Sequence, residues 1–125
     1  MDNVRKFFNS FRYAFRGLRH MLKNEQNFQI QILLGFFVVI LMFVFSIRSL
    51  EKVALFFVIF SVLAMELINT IFERVVDILK PRVHPYAQLI KDIMAAAVLI
   101  VSIGAIVVGI TIFYPYFKEL FLQTI

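Results

Sequence analysis

The stretch ELINTIFERVVDILKPRVHPYAQLIKD, residues 66–92, decides how the chain is organised. Read as a helix, its first half places polar side chains at positions i, i+3, i+7 and i+11, namely Glu66, Asn69, Glu73 and Asp77. At ~100° per residue these side chains point to one side of the helix. They form a polar stripe on an apolar helix, and we interpret this stripe as a candidate active site.

The composition points to a membrane protein. Of the 125 residues 62% are hydrophobic and the mean hydropathy is +0.89, which is too apolar for a soluble domain of this size. The absence of cysteine excludes a disulfide framework and a thiolate metal site. The net charge of +5 does not indicate a nucleic-acid partner, because the basic residues flank apolar segments. Anionic headgroups and a phosphorylated ligand are the expected partners instead.

Residues 1–24 have the pattern of a basic amphipathic helix, with apolar and basic side chains alternating at helical spacing. Such a helix lies in the headgroup plane, where its polar face can meet an anionic ligand from the water. The segment lacks the short apolar core and small-residue cleavage site of a signal peptide, so we expect it to be retained.

Three apolar runs are long enough to cross a hydrocarbon core of ~30 Å. They are span one at residues 26–47, span two at 53–79 and span three at 91–114. Span two must continue through Glu66 to reach that length. Prolines interrupt residues 80–90, which are expected to form a loop. The prediction is a single all-α membrane domain over residues 1–125.

The distribution of positive charge predicts the orientation. The N-terminal helix and the 80–90 loop are rich in Lys, Arg and His, whereas residues 48–52 and the C-terminal tail carry few, so the first two are expected in the cytoplasm. Several carboxylates then lie at the cytoplasmic boundary, namely Glu25, Glu73, Asp77 and Asp92. Glu66 is expected about 10 Å deeper, where a lipid hydroxyl would be found.

The polar stripe has three possible meanings. A carboxylate facing lipid costs at least ~2.5 kcal/mol, so the stripe either fixes helix packing, conducts ions or holds a metal for phosphoryl transfer. Its position at the rim and the nearby cations favour phosphoryl transfer with Mg²⁺ and ATP, whereas a transporter needs its charge near the midplane. The phosphate-binding loop of soluble ATPases and the protein-kinase motifs are absent from the sequence. Any kinase here is of another type.

Two motifs resemble the signature of the prokaryotic diacylglycerol kinase family, which includes undecaprenol kinases. They are AMELINTIFERVVD at residues 64–77 and KDIMAAAVLI at residues 91–100. The resemblance extends to FRYAFRGLR at 11–19 and NEQNF at 24–28, and so covers most of the chain. It implies a homotrimeric helical bundle in the bacterial cytoplasmic (inner) membrane, each subunit having one surface helix and three transmembrane helices. It also implies transfer of the γ-phosphoryl group of ATP to a lipid alcohol, with Mg²⁺, at sites between subunits.

The resemblance also implies a role for each matching residue. Glu66 would be the general base that takes the proton of the lipid hydroxyl, with Asn69 beside it. Glu25 and Glu73 would hold the metal. Arg16 and Arg19 would position lipid or phosphate. The nucleotide would meet a larger set, namely Lys6, Tyr13, Glu25, Glu73, Arg82, Val83, His84, Lys91 and Asp92.

Two details bear on the acceptor lipid, and the first departs from both branches of the family. Position 31 carries Gln, where diacylglycerol kinases of the Gram-negative type tend to have an acid and the undecaprenol kinase branch often has His. The forms E-x-N-F-x-I from Glu25 and E-L-I-N-T from Glu66 look more like the undecaprenol kinase branch. Undecaprenol is therefore the expected acceptor. Diacylglycerol is the alternative, and a small carboxylate-based proton-coupled transporter is a more distant one.

Overall fold

The computed structural model of the protein describes residues 2–124, and their side chains except those of residues 80–84. The described chain forms three helices. They are α1 (Asp2–Asn24), α2 (Gln26–Val44) and α3 (Ser49–Thr124).

Helix α3 is folded back on itself. The Tyr116 hydroxyl donates a hydrogen bond of 2.6 Å to Glu51 Oε1, although 65 positions separate the two residues. A straight helix would hold them ~100 Å apart at 1.5 Å per residue. The Lys91 Nζ lies 2.5 Å from Asp77 Oδ1, so the chain reverses between these two residues. Helix α3 therefore consists of two antiparallel arms, Ser49–Leu79 and Pro85–Thr124.

Three helical segments are long and apolar enough to cross a membrane, namely α2 and the two arms of α3. This confirms the prediction of an all-α protein with three possible spans. Helix α1 covers the segment predicted to lie on the membrane surface. Its position relative to the membrane and the trimeric state stay predictions, as does the division of the chain into a single membrane domain.

Part of the stretch predicted as a loop, residues 80–90, is helical, because the second arm of α3 begins at Pro85. The prolines were expected to stop the helix. Proline is nonetheless well suited to the first turn of a helix, where its fixed φ is already helical and its missing N–H would have no partner. Pro85 stands at the first position of the second arm. It therefore begins a helical segment as the chain reverses.

The ends of the predicted spans also differ from the observed ones. Helix α2 stops at Val44 because Ser46 adopts a left-handed conformation with φ of 51°. The Ile47 N–H then bonds to the Met42 carbonyl at 3.4 Å, and the Phe45 N–H to the Leu41 carbonyl at 3.0 Å. Left-handed residues with this bonding pattern commonly end helices. Apolar composition alone could not locate the turn, since residues 45–47 are as hydrophobic as a span.

The apolar core lies where α2 meets both arms near this turn. It is built from Met42, Ile47, Leu55, Ile112 and Phe113. The Phe45 ring packs edge-on against Phe117 with centroids 4.8 Å apart. We call this end of the bundle, with Glu51 and Tyr116, the clasp end. The opposite end, with Glu25, Asp77 and Lys91, we call the carboxylate end.

The Glu51–Tyr116 hydrogen bond joins the beginning of the first arm to the end of the second, so it should stabilise the hairpin. We expect Tyr116→Phe to lower the midpoint of thermal unfolding in detergent by a few degrees, because the Glu51 carboxylate loses its donor on the second arm and, among the described residues, keeps only Arg48. Tyr86→Phe is the matched control, since the Tyr86 side chain is 64% exposed, and it should leave the midpoint unchanged. Equal midpoints for wild type and Tyr116→Phe would show that the bond contributes nothing.

Candidate active site

Glu66 is buried inside the bundle. It is only 3% exposed, and the Gln31 Nε2 on α2 donates a long hydrogen bond of 3.5 Å to its Oε2. Asn27, one helical turn earlier on α2, lies on the same face of that helix and is exposed. An ionisable group in a membrane span needs polar partners of this kind. The Gln31 amide of α2 therefore gives Glu66 a polar partner inside an apolar bundle.

The rest of the predicted stripe continues along the same arm. Asn69 is 7% exposed, and its Nδ2 donates to Glu73 Oε1 at 3.3 Å. The Asn69 Oδ1 is also buried, and among the described residues it has no hydrogen-bond partner. A buried amide oxygen without a partner is costly unless a ligand or water meets it. The stripe thus has one oxygen available for an incoming donor or cation.

Glu25 reaches the stripe from the junction of α1 and α2. It is the N-cap residue of α2, but its side chain makes no capping hydrogen bond. Its Oε1 instead accepts a hydrogen bond of 2.7 Å from Arg74 Nη2 on the first arm. Arg74 directly follows Glu73 in the sequence, so this ion pair places Glu25 at the Glu73 end of the stripe. Glu25 and Glu73 therefore lie at the same end of the bundle, and Glu66 lies further along the first arm.

Lys91 and Asp92 lie where the second arm begins. Lys91 pairs with Asp77 across the hairpin, and Asp92 accepts a hydrogen bond of 2.8 Å from Gln88 on its own arm. The hairpin therefore brings Lys91 to the carboxylate end, on the arm opposite the polar stripe.

The predicted site residues of α1 are spread along that helix. All of them are exposed, namely Lys6, Tyr13, Arg16 and Arg19. The Arg16 guanidinium lies 5.6 Å from the centre of the Tyr13 ring, a contact within α1. The side chains of Arg82, Val83 and His84 lie outside the described part of the chain. The structure thus brings together the residues of α2 and the first arm, and leaves the α1 residues on the surface.

The oxygen ligands at the carboxylate end suit a magnesium ion that arrives with a nucleotide. Among the described side chains, no group of three or more Asp, Glu or His residues is arranged as a metal cage. Mg²⁺ is ordinarily bound by one or two carboxylates together with phosphate oxygens and water. Glu25 and Glu73 offer that number of carboxylates. The unpartnered Asn69 Oδ1 is a further hard oxygen at the same site.

An apolar cavity of about 570 Å³ opens between α2 and the two arms. Aliphatic and aromatic side chains form most of its wall, among them Leu34, Val38, Leu55, Ile59, Ile106 and Phe113. Gln31 also lines this cavity. Because the same Gln31 donates to Glu66, the cavity ends beside the buried carboxylate.

Residues 12–113 match the family described as prokaryotic diacylglycerol kinase, so the chain belongs to this family of membrane lipid kinases. An undecaprenol kinase of Bacillus subtilis is 32% identical over 114 residues, which cover 91% of this chain and 93% of that protein. A diacylglycerol kinase of Synechocystis is 32% identical over 107 residues, covering 85% of this chain and 61% of that protein. The diacylglycerol kinase of Escherichia coli is 27% identical over 105 residues, covering 84% and 86%.

The protein is therefore a lipid kinase, and its family implies ATP as the phosphoryl donor and a membrane lipid as the acceptor. This confirms the predicted family and enzyme class. It also sets aside the proton-coupled transporter, which had remained as a distant alternative.

The sequence did not indicate a role in the site for Gln31, which contacts Glu66, or for Arg74, which contacts Glu25. Gln31 and Asn27 are four apart on α2, so helical spacing could have placed both amides on one face. Arg74 left no such signal, because a charged residue at the end of a span is usually solvated. Its contact with Glu25 depends on how two helices pack.

The Gln31 hydrogen bond to Glu66 should influence turnover. We expect Gln31→Leu to lower kcat roughly three- to tenfold with little change in KM for ATP, because the Glu66 carboxylate loses a donor in an apolar setting. Gln29→Leu is the matched control on the same helix, since its Nε2 bonds to the Leu22 carbonyl, and it should retain wild-type kcat. If Gln31→Leu has the same kcat as Gln29→Leu, Gln31 does not contribute to catalysis.

Proposed function

We propose that the protein phosphorylates undecaprenol to undecaprenyl phosphate, using ATP and Mg²⁺ at the cytoplasmic face of a bacterial membrane. The observation that carries this proposal is the double contact of Gln31, which lines the apolar cavity and donates to Glu66. A prenol chain lying in the cavity would have its terminal hydroxyl group beside the buried carboxylate.

Glu66 acts as the general base. It accepts the proton of the lipid hydroxyl while the hydroxyl oxygen attacks the γ-phosphorus of ATP, and the bond to the leaving ADP breaks. Its burial supports this role, because water is kept away from the carboxylate and from the reacting phosphoryl group. Asn69, one turn along the same face, orients the substrate hydroxyl or a phosphate oxygen.

Glu25 and Glu73 would hold Mg²⁺, and the bound ion would neutralise charge on the transferring phosphoryl group. Lys91 offers a cation to the phosphates, at the end of the bundle where these carboxylates lie. Asp92 contacts the nucleotide, together with Lys6 and Tyr13 of α1 and with Arg82, Val83 and His84. Arg16 and Arg19 attract the lipid or the phosphate to the site.

The lining of the cavity favours a polyprenol over diacylglycerol. A polyprenol has an apolar chain with one terminal hydroxyl group, whereas diacylglycerol carries two ester groups next to its hydroxyl. Ester oxygens placed against an apolar wall lose hydrogen bonds with water. The name of the Bacillus subtilis relative agrees with this choice, while the Synechocystis relative is named for the alternative.

Assembly into a trimer with sites between subunits would bring the α1 residues to the other residues of the proposed site. The α1 residues expected at the nucleotide lie on the surface of a single chain, so a neighbouring copy can use them. Exposed aromatic rings on α1 suit the acyl boundary of a membrane, namely Phe7, Phe8, Phe11 and Phe15. The positive charge of α1 supports a cytoplasmic position for this helix, where ATP is present.

The proposed acceptor is tested by supplying labelled ATP and Mg²⁺ to the purified protein with either undecaprenol or diacylglycerol in the same detergent. We expect faster labelling of undecaprenol, because its chain fits the apolar cavity without burying esters. Faster labelling of diacylglycerol would replace the proposal with the diacylglycerol kinase alternative. Label in neither lipid would contradict both.

Removal of the base should abolish transfer. We expect Glu66→Gln to lower kcat by about a hundredfold or more, because the amide cannot accept the hydroxyl proton. Oligomeric state and ATP binding should be unchanged, as size exclusion and equilibrium dialysis would show. Glu119→Gln, which removes an exposed carboxylate of the second arm, is the control and should retain activity. Half of the wild-type turnover in Glu66→Gln would reject this role.

A further inference from the structure

We propose that Arg74 is the counter-ion of Glu25 in the metal-free protein, and that Mg²⁺ displaces its guanidinium from this carboxylate. The inference rests on the proposed function, in which Glu25 is a metal ligand. It adds that one oxygen of Glu25 has two alternative cationic partners, one belonging to the chain and one arriving with the nucleotide.

The geometry of the ion pair is the first observation. Arg74 Nη2 lies 2.7 Å from Glu25 Oε1 and joins the beginning of α2 to the first arm of α3. The Glu25 side chain is 19% exposed, whereas that of Arg74 is 60% exposed. The guanidinium can therefore move into water without crossing the bundle. The carboxylate remains in place at the site.

The arrangement around Glu73 is the second observation. Glu73 and Arg74 are adjacent in sequence, but neighbouring residues on a helix point ~100° apart. Glu73 therefore faces Asn69, whose amide donates to it, while Arg74 faces Glu25. Each of the two proposed metal ligands is thus occupied by a donor of the chain itself.

Electrostatics explains why such a partner is needed. Glu25 bonds to Arg74, and Glu73 directly precedes Arg74, so two negative charges lie at the same end of the bundle and repel one another. The Arg74 charge offsets this repulsion while no metal is bound. A divalent cation at Glu25 would do so more strongly, and it would also repel the guanidinium. The two cations therefore compete.

The test measures metal binding directly. Mn²⁺ is titrated into the full chain in lipid nanodiscs with a non-hydrolysable ATP analogue, and free Mn²⁺ is followed by electron paramagnetic resonance. We expect Arg74→Gln to lower the Mn²⁺ dissociation constant about two- to fivefold, as the loss of a partly exposed competing ion pair predicts. Arg74→Lys keeps a single cationic donor and should stay close to wild type.

Two controls separate this inference from the proposed function. Arg48→Gln removes the guanidinium that pairs with Glu51 at the clasp end, and it should leave Mn²⁺ binding unchanged. Glu25→Gln should weaken Mn²⁺ binding. If Glu25→Gln has no effect, the proposed metal site is wrong. If Glu25→Gln weakens binding but Arg74→Gln leaves it unchanged or weakens it, competition by Arg74 is wrong while the metal site stands.

Thermal unfolding supplies a second readout for the same variants. Arg74→Gln should lower the unfolding midpoint of the metal-free protein and have no effect in saturating Mn²⁺ with the nucleotide analogue, because the guanidinium has then already left Glu25. An equal decrease in both states would identify Arg74 as a permanent brace between α2 and α3, and would overturn the inference.

Discussion

The packing of the bundle depends on one constraint, which is that the Glu66 carboxylate lies inside an apolar helix and must have polar partners. Its partners come from α2, and this choice fixes how α2 lies against α3. Gln31 contacts Glu66, and Glu25 contacts Arg74. Glu25 comes six residues before Gln31, whereas Arg74 comes eight residues after Glu66. The shifts run in opposite directions, so the two helices are antiparallel. One buried charge therefore sets both the register and the direction of packing.

Features that follow from periodicity and length could be predicted from the sequence. The spacing of Glu66, Asn69 and Glu73 predicted that they share one face; in the structure Asn69 donates to Glu73, and Glu66 meets Gln31 of α2. The lengths of the apolar runs gave three possible spans. Consecutive spans cross the membrane in opposite directions. The beginning of span one, the end of span two and the beginning of span three were therefore expected on the same side, with their carboxylates. None of these predictions required knowledge of side-chain contacts.

Helix boundaries and ion-pair partners could not be predicted in the same way, because the sequence is compatible with more than one of each. Pro85 either ends or begins a helix, and only the reversal of α3 decides that it begins one. The left-handed Ser46 carries no glycine signal, although it ends α2. Lys91 has several carboxylates within reach of its end of the bundle, and the observed partner is Asp77. In each case the sequence allows more than one arrangement of similar energy, and tertiary packing selects among them.

The distance between the two parts of the proposed site has a chemical consequence. Glu66 and Glu73 are seven residues apart, which is about 10 Å along a helix. A single small molecule bound at one carboxylate would not reach the other. A nucleotide entering from the water at Glu73 and a lipid entering through the apolar cavity at Glu66 would each cover part of this interval. Asn69 lies between them with a buried oxygen free. The separation therefore favours a reaction that joins a polar and an apolar substrate, as a lipid kinase must do.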